Sequence, residues 1–207
     1  MKKHFLATSL FLLTLSGCYL VKPTQDLTEF YTINEHSSHA ESFVNDLQGD
    51  QKIINFIIKE IPRYADSSKM VIKDGDNKLL YSENARWAEP LEESCGRFLR
   101  RTLSSFLSNQ AIVISSKHAD SNMIFCDYRL TICFDDIIYN AQDKQVVIRC
   151  NWSLYDYNRS SQALIFKYSH AINVPDFSYA NIVDGIKKGL YDLSENISKT
   201  LLSIIDK

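Results

Sequence analysis

The chain has 207 residues, with 23 basic and 25 acidic side chains and a formal charge of −2. That balance excludes a nucleic-acid binder working through a basic surface. A hydrophobic share of 45%, with only six glycines and four prolines, excludes a low-complexity or disordered chain and suits a compact domain.

Residues 1–17 read as a secretory signal. Lys2 and Lys3 supply the positive start. Phe5 to Leu15 form an apolar run of eleven residues, too short to cross a bilayer as a helix. The run ends in Leu15-Ser16-Gly17-Cys18, which resembles the lipobox of bacterial lipoproteins. In such proteins the cysteine thiol takes a diacylglyceryl group and the chain is cut just before it. The small Ser16 and Gly17 let a peptidase approach the backbone closely. The resemblance makes Cys18 the lipidation site and a membrane the first partner. Burying acyl chains contributes about 0.8 kcal/mol per CH₂, so two or three chains make a durable anchor. Tyr19 stands where an Asp favours inner-membrane retention in enterobacterial lipoproteins. Its presence points to the periplasmic face of the outer membrane and leaves the inner membrane open. Cleavage would leave 190 residues, and losing Lys2 and Lys3 leaves 21 basic against 25 acidic side chains, a net charge of −4. That length supports one domain with a sizeable core.

Residues 18–50 read as a lipidated tether with a short strand at Phe30–Ile33 and a polar loop from Asn34 to Asp50. Residues 51–207 read as the folded domain. Lys52 to Ile61 carries Ile53, Ile54, Ile57, Ile58 and Ile61, and β-branching favours a strand that Pro62 ends. Met70–Lys73 and Leu79–Glu83 flank Asp74-Gly75-Asp76-Asn77, a hairpin signal. A helix opens near Glu89-Pro90, where proline suits the first turn. Leu91, Cys95, Phe98, Leu99, Thr102, Leu103 and Phe106 recur along it at helical spacing. Arg97, Arg100 and Arg101 fall on the other side of that helix. They read as a solvated face, with a basic contact for a partner or for lipid head groups as the sharper alternative.

Ala111–Ser115 is a short strand candidate. Cys126–Phe134, Val146–Leu154 and Leu164–Val174 then alternate apolar and polar residues, as strands of an antiparallel meander do. Ala141-Gln142-Asp143 and Asn158-Arg159-Ser160-Ser161 supply the turns, and Asp135-Asp136 read as a strand end or solvated edge. A last helix spans Tyr179 to Ile205, with Val183, Ile186, Leu190, Leu193, Ile197, Thr200 and Ile204 as its stripe. The predicted fold class is α+β, a single antiparallel sheet with two amphipathic helices packed on one face.

Four cysteines follow Cys18, and an exported chain could pair them. Register argues against joining Cys133 to Cys150. Cys150 shares the apolar face with Trp152, Cys133 shares the other face with Thr131, and pairing the apolar faces sets Cys133 beside Asn151. The expected state is three buried thiols, Cys95, Cys126 and Cys150, and an outward-facing Cys133. The histidines (His4, His36, His39, His118, His170) are scattered, and no C-x-x-C pair occurs, so no metal or cofactor is expected. His170 lies on an apolar strand face and reads as a core histidine. No nucleophile elbow or phosphate-binding loop appears, and the chain reads as non-enzymatic.

One segment is more specific. Leu79-Leu80-Tyr81-Ser82-Glu83-Asn84-Ala85-Arg86-Trp87-Ala88-Glu89-Pro90-Leu91 runs from a strand through Trp-Ala-Glu-Pro-Leu directly into the amphipathic helix. It resembles the corresponding segment of the ABC-type transport auxiliary lipoprotein family. Phe30-Tyr31, Ile61-Pro62-Arg63-Tyr64 and Met70-Val71-Ile72 match further features of that family, while Ala65 and Ser67-Ser68-Lys69 depart from it. The resemblance implies a non-enzymatic accessory of an MCE-type envelope lipid-transport system. Such an accessory would dock the periplasm-spanning component at the outer membrane and could form a homo-oligomeric ring. Trp87, Glu89, Pro90, Arg97, Arg100 and Arg101 are then the candidate contacts, and Trp87 is either a contact or a brace of the strand-to-helix turn. An outer-membrane assembly factor and a periplasmic small-ligand-binding module are the alternative readings.

Overall fold

A computed structural model describes residues 26–34, 51–115, 126–158 and 163–205. The expected signal segment, Cys18, the start of the expected tether, the expected polar loop from residue 35 onward and most of the expected turn after Asn158 lie outside the described residues. In chain order the elements are β1 (Glu29–Tyr31), β2 (Lys52–Glu60), a 3-10 turn (Arg63–Asp66), β3 (Lys69–Lys73), β4 (Leu79–Trp87) and α1 (Leu91–Phe106). Then come β5 (Ala111–Ser115), β6 (Tyr128–Asn140), β7 (Gln145–Asp156), β8 (Leu164–Asn173) and α2 (Tyr179–Ile205).

The α+β class holds, but the sheet is mixed, which corrects the expected antiparallel one. β3–β4, β6–β7 and β7–β8 pair antiparallel. β1–β4, β2–β5, β2–β6 and β3–β6 pair parallel. Alternation along a strand reports which face is buried and carries no information on the direction of its neighbour. The hairpin and the meander were legible because short turns force antiparallel pairing. The parallel pairs join segments far apart in sequence.

β6 organises the sheet. One side pairs with β7 along nearly its whole length. The other side is shared: Tyr128–Cys133 pair with β2, and Tyr139 and Asn140 pair with β3. At the fork the register shifts between Phe134 and Asp136. This bulge reverses the alternation, so Phe134 lies across from Cys150, whereas Ile137 lies across from Ile148. Asp135-Asp136 therefore sit inside a thirteen-residue strand rather than at its end. The parity break made the strand look finished.

The fork leaves a stretch of β6 without a strand on that side, and Tyr64 fills it. Its hydroxyl accepts the Ile137 N–H at 3.3 Å and donates to Asp136 Oδ1 at 3.0 Å. Burial and the Asp136 carboxylate push the Tyr64 phenol pKa up. Arg149, opposite Asp136 on β7, closes the other side of that carboxylate with an ion pair.

α1 contacts α2, β2 and β5, and α2 contacts β7 and β8. Ile58, Ile132 and Trp152 are partners across three strands, and Ile148 lies on the same face of β7 as Trp152. Gly96 of α1 lies over Ile58, and Gly189 of α2 lies over Ile148 and Ile172. Gly185 and Gly189 bring the α2 backbone so close that a Cβ at Gly189 would stand 2.5 Å from Ile148 Cδ1. The buried side of α2 includes Ile182, Val183, Ile186, Leu190, Leu193, Ile197 and Leu201. Leu201, rather than Thr200 or Ile204, ends the buried stripe.

Candidate functional site

The Trp87–Leu91 segment captures the N-terminal strand. β1 adds in parallel to the last residues of β4, pairing Glu29 with Ala85, Phe30 with Arg86 and Tyr31 with Trp87. The Ala88 N–H then donates to the Tyr31 carbonyl, and the Trp87 N–H donates to the Ser68 carbonyl, both at 2.8 Å. Just past the strand, Ile33 is 1% exposed and belongs to the core. Burying an isoleucine contributes about 1.5–3 kcal/mol, which ties the N-terminal strand to the domain.

Glu89 joins three parts of the chain. Its carboxylate accepts hydrogen bonds from Thr32 Oγ1 at 3.0 Å, Ser94 Oγ at 2.6 Å and Arg97 Nη1 at 2.8 Å, and Arg97 Nη2 completes a two-pronged pair. Arg97 first, then Ser94 and Thr32, hold the Glu89 carboxyl down to about 2 against the opposing effect of burial. The same pairing raises Arg97. Thr32 follows β1, Glu89 follows β4 and Ser94 and Arg97 lie on α1, so one carboxylate fastens the N-terminal strand, the sheet and the helix together.

Pro90 is the N-cap residue itself, one position earlier than the expected first helical turn, and makes no side-chain cap. Its carbonyl accepts from the Glu93 and Ser94 N–H groups at 3.0 and 3.2 Å. Glu92 and Glu93 place negative charge in the first turn, where the helix dipole favours it.

The expected solvated arginine face is corrected. Arg97 is committed to Glu89. Arg100 is half-buried, and desolvation, with Arg101 and Arg97 nearby, lowers its pKa. Only Arg101 of the three is exposed. Trp87 is 7% exposed and packs among Tyr64, Met70, Leu91, Ile182 and Ile186, which gives a partner little of the indole to touch. That placement is the one a brace of the strand-to-helix turn needs. These residues surround a cavity of about 20 Å³, room for a water and far below a small-molecule site.

Cys95, Cys126, Cys133 and Cys150 are all free. Cys133 lies across from Asn151, and Cys150 lies across from Phe134 and Tyr168. Cys126 is half-buried rather than a core thiol, because it precedes β6 instead of lying in it. Burial pushes the Cys150 thiol up to about 12 and raises Cys95 as well. His170 is also corrected. It occupies an edge strand, is exposed, and faces Asp192 of α2 at 3.3 Å. Among the described residues, no three His, Cys, Asp or Glu side chains come together as a metal site, and no helix is long and apolar enough to cross a membrane.

Known proteins supply the remaining evidence. The profile of the ABC-type transport auxiliary lipoprotein component matches residues 58–198, most of the folded part. The chain belongs to the ABC-type transport auxiliary lipoprotein family. Within this auxiliary family the match includes Tyr64 and the Trp87–Leu91 segment that captures β1. It is a family of transport accessories rather than of enzymes. Two crystal structures show the same fold. One, of an uncharacterized protein, has a TM-score of 0.66 at 18% identity, covering 84% of this chain and 98% of that one. The other, of protein XCC0632 from Xanthomonas campestris, has a TM-score of 0.60 at 14% identity, covering 83% of this chain and 93% of that one. No curated protein matches the sequence.

The residues that sequence reasoning missed here are Thr32, Ile33 and Ser94. Ile33 was within reach, since Tyr31 and Ile33 alternate as an inward-facing pair. The Glu89 contacts were not, because Thr32 lies 57 residues away in the chain.

Proposed function

We propose that the protein is the lipid-anchored accessory of an MCE-type envelope lipid-transport system, docking the periplasm-spanning component at the outer membrane. Membership of the transport auxiliary family carries this reading. The capture of β1 supports it, because it makes the tether from Cys18 part of the sheet. The anchor then positions the folded domain instead of merely retaining it. A ring of several copies around the bridging component is the assembly that suits such a docking role. A ligand-binding module gains no support from a cavity of about 20 Å³ beside Trp87. Crosslinking in cells, followed by identification of the captured proteins, tests the proposal. Capture of an MCE-domain protein or its permease is the expected result. Capture of unrelated envelope proteins alone refutes it.

A further inference from the structure

One corner of the domain, the free part of the β4 edge, carries exposed apolar side chains on both faces of the sheet where the N-terminal chain arrives. β1 covers only Ala85–Trp87 of β4, and it runs parallel to β4. The chain upstream of Glu29 therefore approaches from the other half of that strand. There Leu79, Leu80 and Tyr81 are 39%, 41% and 49% exposed. Leu27 and Phe30, on the incoming chain, are also exposed.

Phe177 joins this corner from the loop before α2. Leu80, Ile72 and Tyr139 form one row across β4, β3 and β6. The Phe177 ring packs 5.8 Å from the Tyr139 ring and 5.5 Å from that of Tyr179, which in turn packs 6.0 Å from Tyr31. Phe177 itself remains 56% exposed. Cations flank the patch: Lys73 pairs in register with Leu79, and Lys69 and Phe30 both pair with Arg86. Acids lie among them: Asp26, whose carboxylate is held down mainly by Thr28, Asp74 paired with Lys78, and the exposed Glu29, Glu83 and Asp176.

Tether length decides what this corner meets. Cys18 lies nine residues before Leu27, a fully extended reach of about 30 Å. A domain of this size is about 40 Å across. This corner therefore stays within about 30 Å of the bilayer, and the far edge of the sheet is the surface hardest to bring against it. Apolar and aromatic side chains at the edge of an anchored domain, with Lys69, Lys73, Lys78 and Arg86 beside them, suit the headgroup boundary of a bilayer.

We infer that this corner, built from Leu27, Phe30, Leu79, Leu80, Tyr81 and Phe177, is a membrane-contact surface that sets the orientation of the anchored domain. The inference rests on the lipidation of Cys18 in the proposed function. Two signals then hold the protein, the acyl chains and the patch. β8, at the opposite edge, points away from the bilayer and remains free for protein partners.

The test uses the full mature protein extracted from membranes and reconstituted in vesicles of phosphatidylethanolamine and phosphatidylglycerol with brominated acyl chains. Mass spectrometry first reads the lipid on Cys18. Leu80→Trp and Phe177→Trp each add a reporter in the patch, and Ile165→Trp on β8 is the control. Ile165 is 72% exposed, so indiscriminate contact with lipid would quench it at least as strongly. The natural Trp87 and Trp152 are buried and give the background. The added emission at positions 80 and 177 should fall about twofold with bromines just below the headgroups, and emission at position 165 should not change. Lipidated protein with no quenching at either patch position overturns the inference and assigns the corner to a protein partner. Equal quenching at position 165 overturns it too. Protein without lipid on Cys18 fails at the anchor and refutes both readings.

Discussion

Substituting alanine for Gly189 and for Gly96 should shift stability in opposite directions, although both glycines lie in helices. Alanine at an exposed helical position is worth about 0.8–1 kcal/mol more than glycine. At Gly96 the new Cβ would meet Ile58 Cδ1 at 3.6 Å, an ordinary van der Waals contact. Gly96→Ala should therefore stabilise by about 0.5–1 kcal/mol. At Gly189 the Cβ would stand 2.5 Å from Ile148 Cδ1 and 2.7 Å from Ile172 Cδ1. Ile148 is fully buried and Ile172 nearly so, so neither can swing into solvent. Overpacking of this kind costs about 1–3 kcal/mol, which exceeds the propensity gain and leaves a net loss on the order of 1 kcal/mol. The two variants should differ by roughly 2 kcal/mol in urea unfolding, with m-values unchanged. If Gly189→Ala gains as much as Gly96→Ala, α2 does not approach the sheet as closely as described, and the packing argument fails.

The Glu89 network predicts a particular acid sensitivity. The folded-state pKa of about 2 lies below the ordinary value of 4.5, so the stabilisation is full above pH 4.5 and is lost as pH falls toward 2. Because the carboxylate is partly exposed, solvent screening reduces the contribution to about 1–2 kcal/mol. The stability gap between the natural chain and Glu89→Gln should narrow across that window in pH-dependent urea melts; a gap independent of pH would contradict the network. Tyr64→Phe should cost about 1–3 kcal/mol by leaving the Ile137 N–H at the fork without its partner, read as a lowered urea midpoint. A neutral effect would mean that water replaces the hydroxyl. Alkylation without reductant should eventually label Cys95, Cys126, Cys133 and Cys150, with Cys95 and Cys150 reacting only after unfolding. Any shortfall in denaturant would reveal a disulfide.

Local pattern made much of the architecture legible. The alternating strands, the Asp74–Asn77 turn, the proline before α1 and the 27-residue run of α2 each depend on neighbours a few residues away. The relative faces of Cys133 and Cys150 were legible for the same reason, since period two carries across a hairpin. The Trp87–Leu91 segment stood out in sequence, but its partners did not. Glu89 reads as a charged residue before a helix until Thr32 and Arg97 are placed around it. The arginines looked solvated on a helical wheel because a wheel shows one helix without its neighbours.

The sequence by itself determined most of the elements and most of their inward faces, because these follow from backbone periodicity and short-range chemistry. Only the tertiary structure decided the parallel pairs, the fork closed by Tyr64, the approach of Gly185 and Gly189 to the sheet, and the capture of β1 by the Trp87–Leu91 segment. Each of these joins residues far apart along the chain. Their energies depend on distance in space, to which local periodicity is blind.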